Sequence, residues 1–175
     1  MDKTVPITQS SYRAALISGL AIALVLCLPS RALAFQLQAM DESRVNLMDY
    51  VSDDKWTVVM FWSTDCFVCE EQKPALETFH LENRSTLAEV VGVATDGMEK
   101  RGEIERLNQL HNPSYPNLVA FSDVFLRQFE ELVGKPYRAS PTFVIFDPQG
   151  NVFGRLFGYV DFEALASSMM GTVEW

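Results

Sequence analysis

The sequence has 175 residues, 48% of them hydrophobic and 21% charged, with 9 Gly and 8 Pro. That composition excludes a disordered chain, which has too few apolar residues to bury, and a collagen-like one, which needs far more glycine. Lys and Arg number 14 against 23 Asp and Glu, so the net charge of −9 excludes the basic footprint of a nucleic-acid binder, and three Cys are too few for a disulfide-rich scaffold or a zinc ribbon.

At the start of the chain, Lys3 and Arg13 precede an apolar run of 15 residues, Ala14 to Leu28. Pro29 and Ser30 break the run, and Ala32 and Ala34 put small residues at the −3 and −1 positions of a cut after Ala34. This is the layout of a secretory signal peptide, and the run is short for a membrane span. The expectation is a cleaved signal over residues 1–34 and one domain over 35–175, placed in the periplasm or otherwise exported. The alternative is anchoring to the membrane by an uncleaved signal; acylation at Cys27 is disfavoured by the bulk of Leu26. Cleavage removes Lys3, Arg13 and Arg31 together with Asp2, which takes the net charge from −9 to −11 and leaves Cys66 and Cys69 as the remaining cysteines. A lone pair of that kind forms a disulfide in an oxidising compartment.

Residues 35–55 are polar and mixed, with Val45, Leu47, Met48 and Val51 as scattered apolar contacts, and read as a lead-in that covers one edge of the domain. Trp56 to Trp62 is an unbroken β-branched and aromatic run, suited to a strand buried on both faces. Ser63, Thr64 and Asp65 supply N-cap chemistry for a helix over about Cys66 to Glu82, which Pro74 is expected to kink. A second buried strand is expected over Ala88 to Thr95, then a helix over about Met98 to His111 with Ile104, Leu107 and Leu110 on one face. A short strand over Asn117 to Phe121 precedes a helix over Asp123 to Val133. Thr142 to Phe146 and Asn151 to Phe157 form a hairpin about the turn Asp147-Pro148-Gln149-Gly150, and Asp161 caps a last helix reaching about Met170. Alternation of strands and helices implies an α/β domain, a central mixed sheet with helices on both faces, mostly parallel with an antiparallel edge.

The chemistry is concentrated in Cys66-Phe67-Val68-Cys69. Two cysteines this close on the first turn of a helix reach each other, and the loop they close is so small that a bridge adds little to stability through chain entropy. Such a pair suits exchange. The amides and dipole at the helix start favour a thiolate at Cys66, the expected nucleophile, and Cys69, one turn deeper, resolves the mixed disulfide. A metal site needs further ligands; His80 and His111 sit on expected helices without ligand spacing, so no metal is expected. A redox-inert structural bridge is disfavoured, because its entropic benefit is small. Phe67 either meets clients from an exposed position or packs on the loop near Pro141. Phe143, Phe146, Phe153 and Phe157 are assigned to the core, and Tyr159 is left between core and surface.

With its context, MFWSTDCFVCEEQKPAL (residues 60–76) and SPTFVIFDPQGNVFGRLFGY (140–159), the sequence resembles the thioredoxin superfamily, and within it the exported TlpA-like thiol–disulfide oxidoreductases. The resemblance spans nearly all of residues 45–170. It implies a thioredoxin-like fold with Pro141 as a cis-proline facing the Cys pair and Ser140 offering its backbone to an extended client segment. It also implies clients such as apocytochromes or copper-site proteins.

The sequence departs from that pattern at three places. Asp65 stands where many relatives have Trp, Met60 where many bury an acid, and Gln72 where some carry a glutamate. Both usual proton relays are thus missing, and Glu70 and Glu71 are candidate substitutes, although acids near a helix start more often face solvent. Asp65, Glu70 and Glu71 oppose a thiolate at Cys66, and a less stabilised reduced form makes a weaker oxidant. The expected activity is therefore disulfide exchange with protein clients, with reduction as the favoured direction. The expected cofactor set is empty apart from the redox-active Cys66–Cys69 disulfide. The expected partners are protein thiol or disulfide clients and a membrane or soluble redox donor, not nucleic acid. The alternatives are a dithiol oxidase, or a non-catalytic binding or metal-handling module on a thioredoxin scaffold.

Overall fold

The computed structural model describes residues 34–172. The signal peptide expected over residues 1–34 lies outside this range except for Ala34, and among the described residues no helix is long and apolar enough to cross a membrane. In chain order the elements are β1 (Gln36–Gln38), β2 (Arg44–Asn46), β3 (Trp56–Trp62), α1 (Phe67–Asn83), β4 (Ala88–Ala94), α2 (Arg101–His111), β5 (Asn117–Ala120), α3 (Phe125–Val133), β6 (Thr142–Phe146), β7 (Val152–Phe157) and α4 (Phe162–Thr172).

All seven residues of β3 are buried, and its alternating side chains feed two separate cores. Trp56, Val58, Met60 and Trp62 join Val90 of β4 and Phe143 and Ile145 of β6 beneath Leu76 and Phe79 of α1, Ile104 and Leu107 of α2, and Phe162 and Met169 of α4. Val59 and Phe61 face the other way, with Phe35, Leu37, Val93, Val144 and Phe146, onto Phe125 and Phe129 of α3. A strand buried on both faces cannot alternate apolar with polar residues, which is why the run from Trp56 to Trp62 is continuous.

The sheet order is β2-β1-β5-β4-β3-β6-β7. β3 pairs in parallel with β4, and β4 with β5. The other four pairings are antiparallel, which corrects the expectation of a mostly parallel sheet. Two things cause the difference. β6 returns alongside β3 in the opposite sense, and the lead-in is a hairpin of two three-residue strands whose β1 extends the sheet beyond β5. Strands that short carry no readable period, although Leu37 and Leu47 on this lead-in are fully buried. At the opposite end, Asp147 Oδ1 accepts the backbone N–H of Gln149 and of Asn151 at 3.0 and 2.8 Å, and Gly150 takes φ 76°, a conformation that favours glycine; this closes the β6–β7 turn.

His80, on the inner face of α1, is buried and sits edge-on to Tyr115 with ring centroids 5.7 Å apart. Burial is the main cause holding its imidazole below the ordinary histidine range. The unfolded chain therefore takes up a proton that the folded chain refuses. Stability is complete above the unfolded value of about 6.5 and falls as pH drops below it. Thermal melts between about pH 7.5 and 5.5 are expected to show this decline, and His80→Gln to flatten it. An unchanged slope in that variant places the acid sensitivity elsewhere.

Candidate active site

The end of β4 fixes the approach to the cysteines. Thr95 donates from its backbone N–H and its Oγ1 to the Trp62 carbonyl at 2.8 and 3.2 Å, and the Asp96 carboxylate accepts the Thr64 N–H at 2.8 Å. The chain then turns through Ser63 to Asp65 into α1. The N-cap is not one of those three residues, as the sequence suggested, but Cys66 itself, whose Sγ accepts the Cys69 N–H at 3.1 Å. Sulfur thus stands where a hydroxyl or carboxylate oxygen usually caps a helix. The helix runs on through Pro74 to Asn83.

Cys66 and Cys69 are joined by a disulfide with Cα atoms 5.2 Å apart. Cys69 is fully buried and Cys66 is partly exposed, so an incoming sulfur reaches Cys66 first. The helix start also favours a thiolate there, through its amides and its dipole. Of the three acids expected to oppose that thiolate, Asp65 and Glu71 are exposed, whereas Glu70 turns away to Lys73 and to His111.

The Ser140–Pro141 peptide is cis. Phe61 pairs with Thr142, so the register brings Pro141 level with Trp62 at the end of β3 that leads into the cysteines. The loop is held on several sides: Ser140 Oγ lies 2.6 Å from the Tyr137 hydroxyl, Thr142 Oγ1 donates to the Ala139 carbonyl at 2.6 Å, and the Pro141 carbonyl accepts the Gly158 N–H at 3.0 Å. Burial raises the Tyr137 hydroxyl above the usual phenol range, which keeps it a hydrogen-bonding group and not an anion.

Phe67 is 73% exposed, beside Cys66, and Tyr159 is also exposed. Phe143 and Phe146 are buried as expected, but Phe153 and Phe157 are exposed, which corrects their assignment to the core. They lie on β7, the edge strand, where Phe153 stacks edge-on against Trp56 at 5.0 Å and Phe157 lies under the Arg155 guanidinium at 4.5 Å.

The two positions lacking a proton relay are also accounted for. Met60 is buried in the core beside β6, and Gln72 is a clamp: its Oε1 accepts the Val160 N–H at 2.8 Å and its Nε2 donates to the Val160 carbonyl at 3.4 Å. Gln72 therefore fixes the chain leading into α4. Sequence reasoning missed Lys73, only 4% exposed, although the spacing of Cys69, Leu76 and His80 places it on the buried face of α1. It also missed Asp96 and Tyr137, for which the sequence carries no local signal. Among the described residues, no group of three or more His, Cys, Asp or Glu is placed to hold a metal ion.

The AhpC/TSA family profile matches residues 29–154, most of the chain. The chain belongs to the AhpC/TSA family. A curated relative within reach of this family member, named "Putative peroxiredoxin YkuU", from Bacillus subtilis (strain 168), is 27% identical over 121 residues, which is 66% of this chain and 67% of the relative. Among solved structures, a secreted Mycobacterium tuberculosis disulfide oxidoreductase homologous to Escherichia coli DsbE is similar with TM-score 0.62, at 18% identity over 79% of this chain and 96% of that one. A thioredoxin-family thiol:disulfide interchange protein from Chlorobium tepidum TLS gives TM-score 0.65, at 19% identity over 79% and 92%. These structures establish the thioredoxin-like fold that the two motifs implied. The family and the Cys66–Cys69 bridge make this AhpC/TSA member a thioredoxin-like oxidoreductase.

Proposed function

We propose that the protein is exported, loses residues 1–34, and works over residues 35–175 as a reductant of disulfides in protein clients. The observation that carries the reading is the Cys66–Cys69 bridge, with one sulfur exposed at a helix start and the other buried behind it. In the reduced protein, Cys66 thiolate attacks a client disulfide and one client sulfur leaves as thiolate. Cys69 then loses its proton and attacks Cys66, and the second client sulfur leaves. Two client thiols and one Cys66–Cys69 disulfide result once water has protonated the departing sulfurs.

No other cofactor enters this scheme. Phe67, Ser140 and Pro141 form the client-binding site: Phe67 supplies exposed apolar area, Ser140 offers its backbone to an extended client strand, and the cis bond to Pro141 sets the course of the chain there. Restoring the dithiol needs a redox donor, from the membrane or from solution. Export is supported by the layout of residues 1–34 and by the secreted neighbour from Mycobacterium tuberculosis. The reducing direction is supported by exposed Asp65 and Glu71 near Cys66. The test is the equilibrium potential of the pair against thiol buffers, expected on the reducing side of the thioredoxin-fold range.

A further inference from the structure

The buried resolving sulfur poses a physical problem. Cys69 is fully buried, and burial in apolar surroundings opposes the thiolate that must form before it can attack Cys66. Neither Met60 nor Gln72 supplies a charge to offset this.

A charged network stands one helical turn away. Lys73 follows Cys69 by four residues on α1, so both lie on the same face, with Cβ atoms about 5–6 Å apart. Long helical side chains lean towards the N-terminus, and Lys73 does so: its Nζ donates to Glu70 Oε1 at 2.6 Å and lies 3.6 Å from the centroid of the Trp62 ring. Trp62 and Cys69 belong to one buried cluster. The other Glu70 oxygen, Oε2, meets His111 Nε2 of α2 at 2.6 Å, and His111 is partly exposed. The chain of contacts thus leads from a buried ammonium to solvent. The further charge facing Lys73 is Arg106, also on α2, which opposes the ammonium; Glu103 pairs with Arg106 at 2.9 Å. Burial is the main cause drawing the Lys73 amine below its usual range, with Glu70 restoring part of the charge. A side chain this deeply placed carries a desolvation cost that a hydrocarbon of similar size would avoid, which suits a functional charge better than a stabilising one.

We infer that Lys73, held by Glu70 and His111, is a positioning residue whose charge favours the Cys69 thiolate in the resolving step. The proton leaving Cys69 passes to solvent. The Cys69 thiolate then attacks Cys66 Sγ, the mixed disulfide breaks, and the client sulfur leaves as thiolate to be protonated by water.

This inference rests on the exchange reading, and one experiment separates the two. The reduced mature protein, residues 35–175, is mixed with the aromatic disulfide dithiobis(nitrobenzoate), and release of the coloured thiolate is followed in stopped flow across pH. The first phase reports attack by Cys66 and the second reports resolution by Cys69. Lys73→Met is expected to leave the first phase intact, to slow the second about tenfold near neutral pH, and to move its pH profile to higher pH. Lys73→Arg is expected to restore both. Lys73→Gln, which keeps a donor for Glu70, serves as a second neutral variant if the Met variant does not fold. A second phase with wild-type rate and pH profile in the neutral variants overturns the inference while leaving exchange intact. A loss that Lys73→Arg shares in full also overturns it, because packing and not charge is then the cause. No thiolate release from the wild-type protein overturns the exchange reading and this inference with it.

Discussion

Cys66→Ser is expected to reduce catalysed disulfide exchange by about 10³ or more, because it removes the sulfur that the fold exposes to a partner. Cys69→Ser is expected to keep the first attack and to stall at a mixed disulfide on Cys66, visible as added mass that a reductant releases. Stability should move far less than activity in both. The bridge closes a loop of only three intervening steps along the chain, for which the chain-entropy argument allows about 2 kcal/mol at most. The check is a dithiothreitol-driven assay on a protein disulfide, run beside urea unfolding of the same variants. Full activity in Cys66→Ser contradicts the assignment of the nucleophile.

Phe61→Ala is expected to have the largest effect on folding. Phe61 is fully buried on β3, and its ring lies 5.7 Å from that of Phe35, 5.7 Å from Phe125 and 5.2 Å from Phe129, the last edge-on. Removing it leaves a cavity at the point where the lead-in, the sheet and α3 meet. Phe-to-Ala changes at such sites cost about 3–5 kcal/mol, against total stabilities of about 5–15 kcal/mol. The urea midpoint should fall steeply with little change in slope. A loss under about 1 kcal/mol contradicts the central place given to this ring. Because Trp62 and the turn into Cys66 follow directly, reactivity of the cysteines should weaken along with stability.

The parts of this molecule legible in its sequence are those set by local pattern. The unbroken run of Trp56 to Trp62 announces a strand buried on both faces, and the turn chemistry of Asp147 to Gly150 announces the β6–β7 hairpin. The Cys66–Cys69 spacing at a helix start places the reactive pair. What the pattern conceals depends on contacts across the chain. β7 looks like a core strand until the sheet order makes it an edge, which is why Phe153 and Phe157 are exposed. Glu70 reads as a solvated acid, yet its partner His111 is 41 residues away. Lys73 is the instructive case, since helical periodicity alone placed it inside while its residue type argued for the surface. Cysteine is not among the usual capping residues, so the local pattern points to Ser63, Thr64 and Asp65 and conceals Cys66 as the cap.

The most direct measurement is the reduction potential of the Cys66–Cys69 pair in residues 35–175, obtained by equilibration with defined glutathione and dithiothreitol buffers and counting of free thiols. The account predicts reversible two-electron exchange with a potential near about −270 mV, the thioredoxin range. A potential near about −120 mV would make the protein an oxidant and contradict the proposed direction, and failure of the pair to exchange would contradict the assignment of Cys66 and Cys69 as the catalytic dithiol.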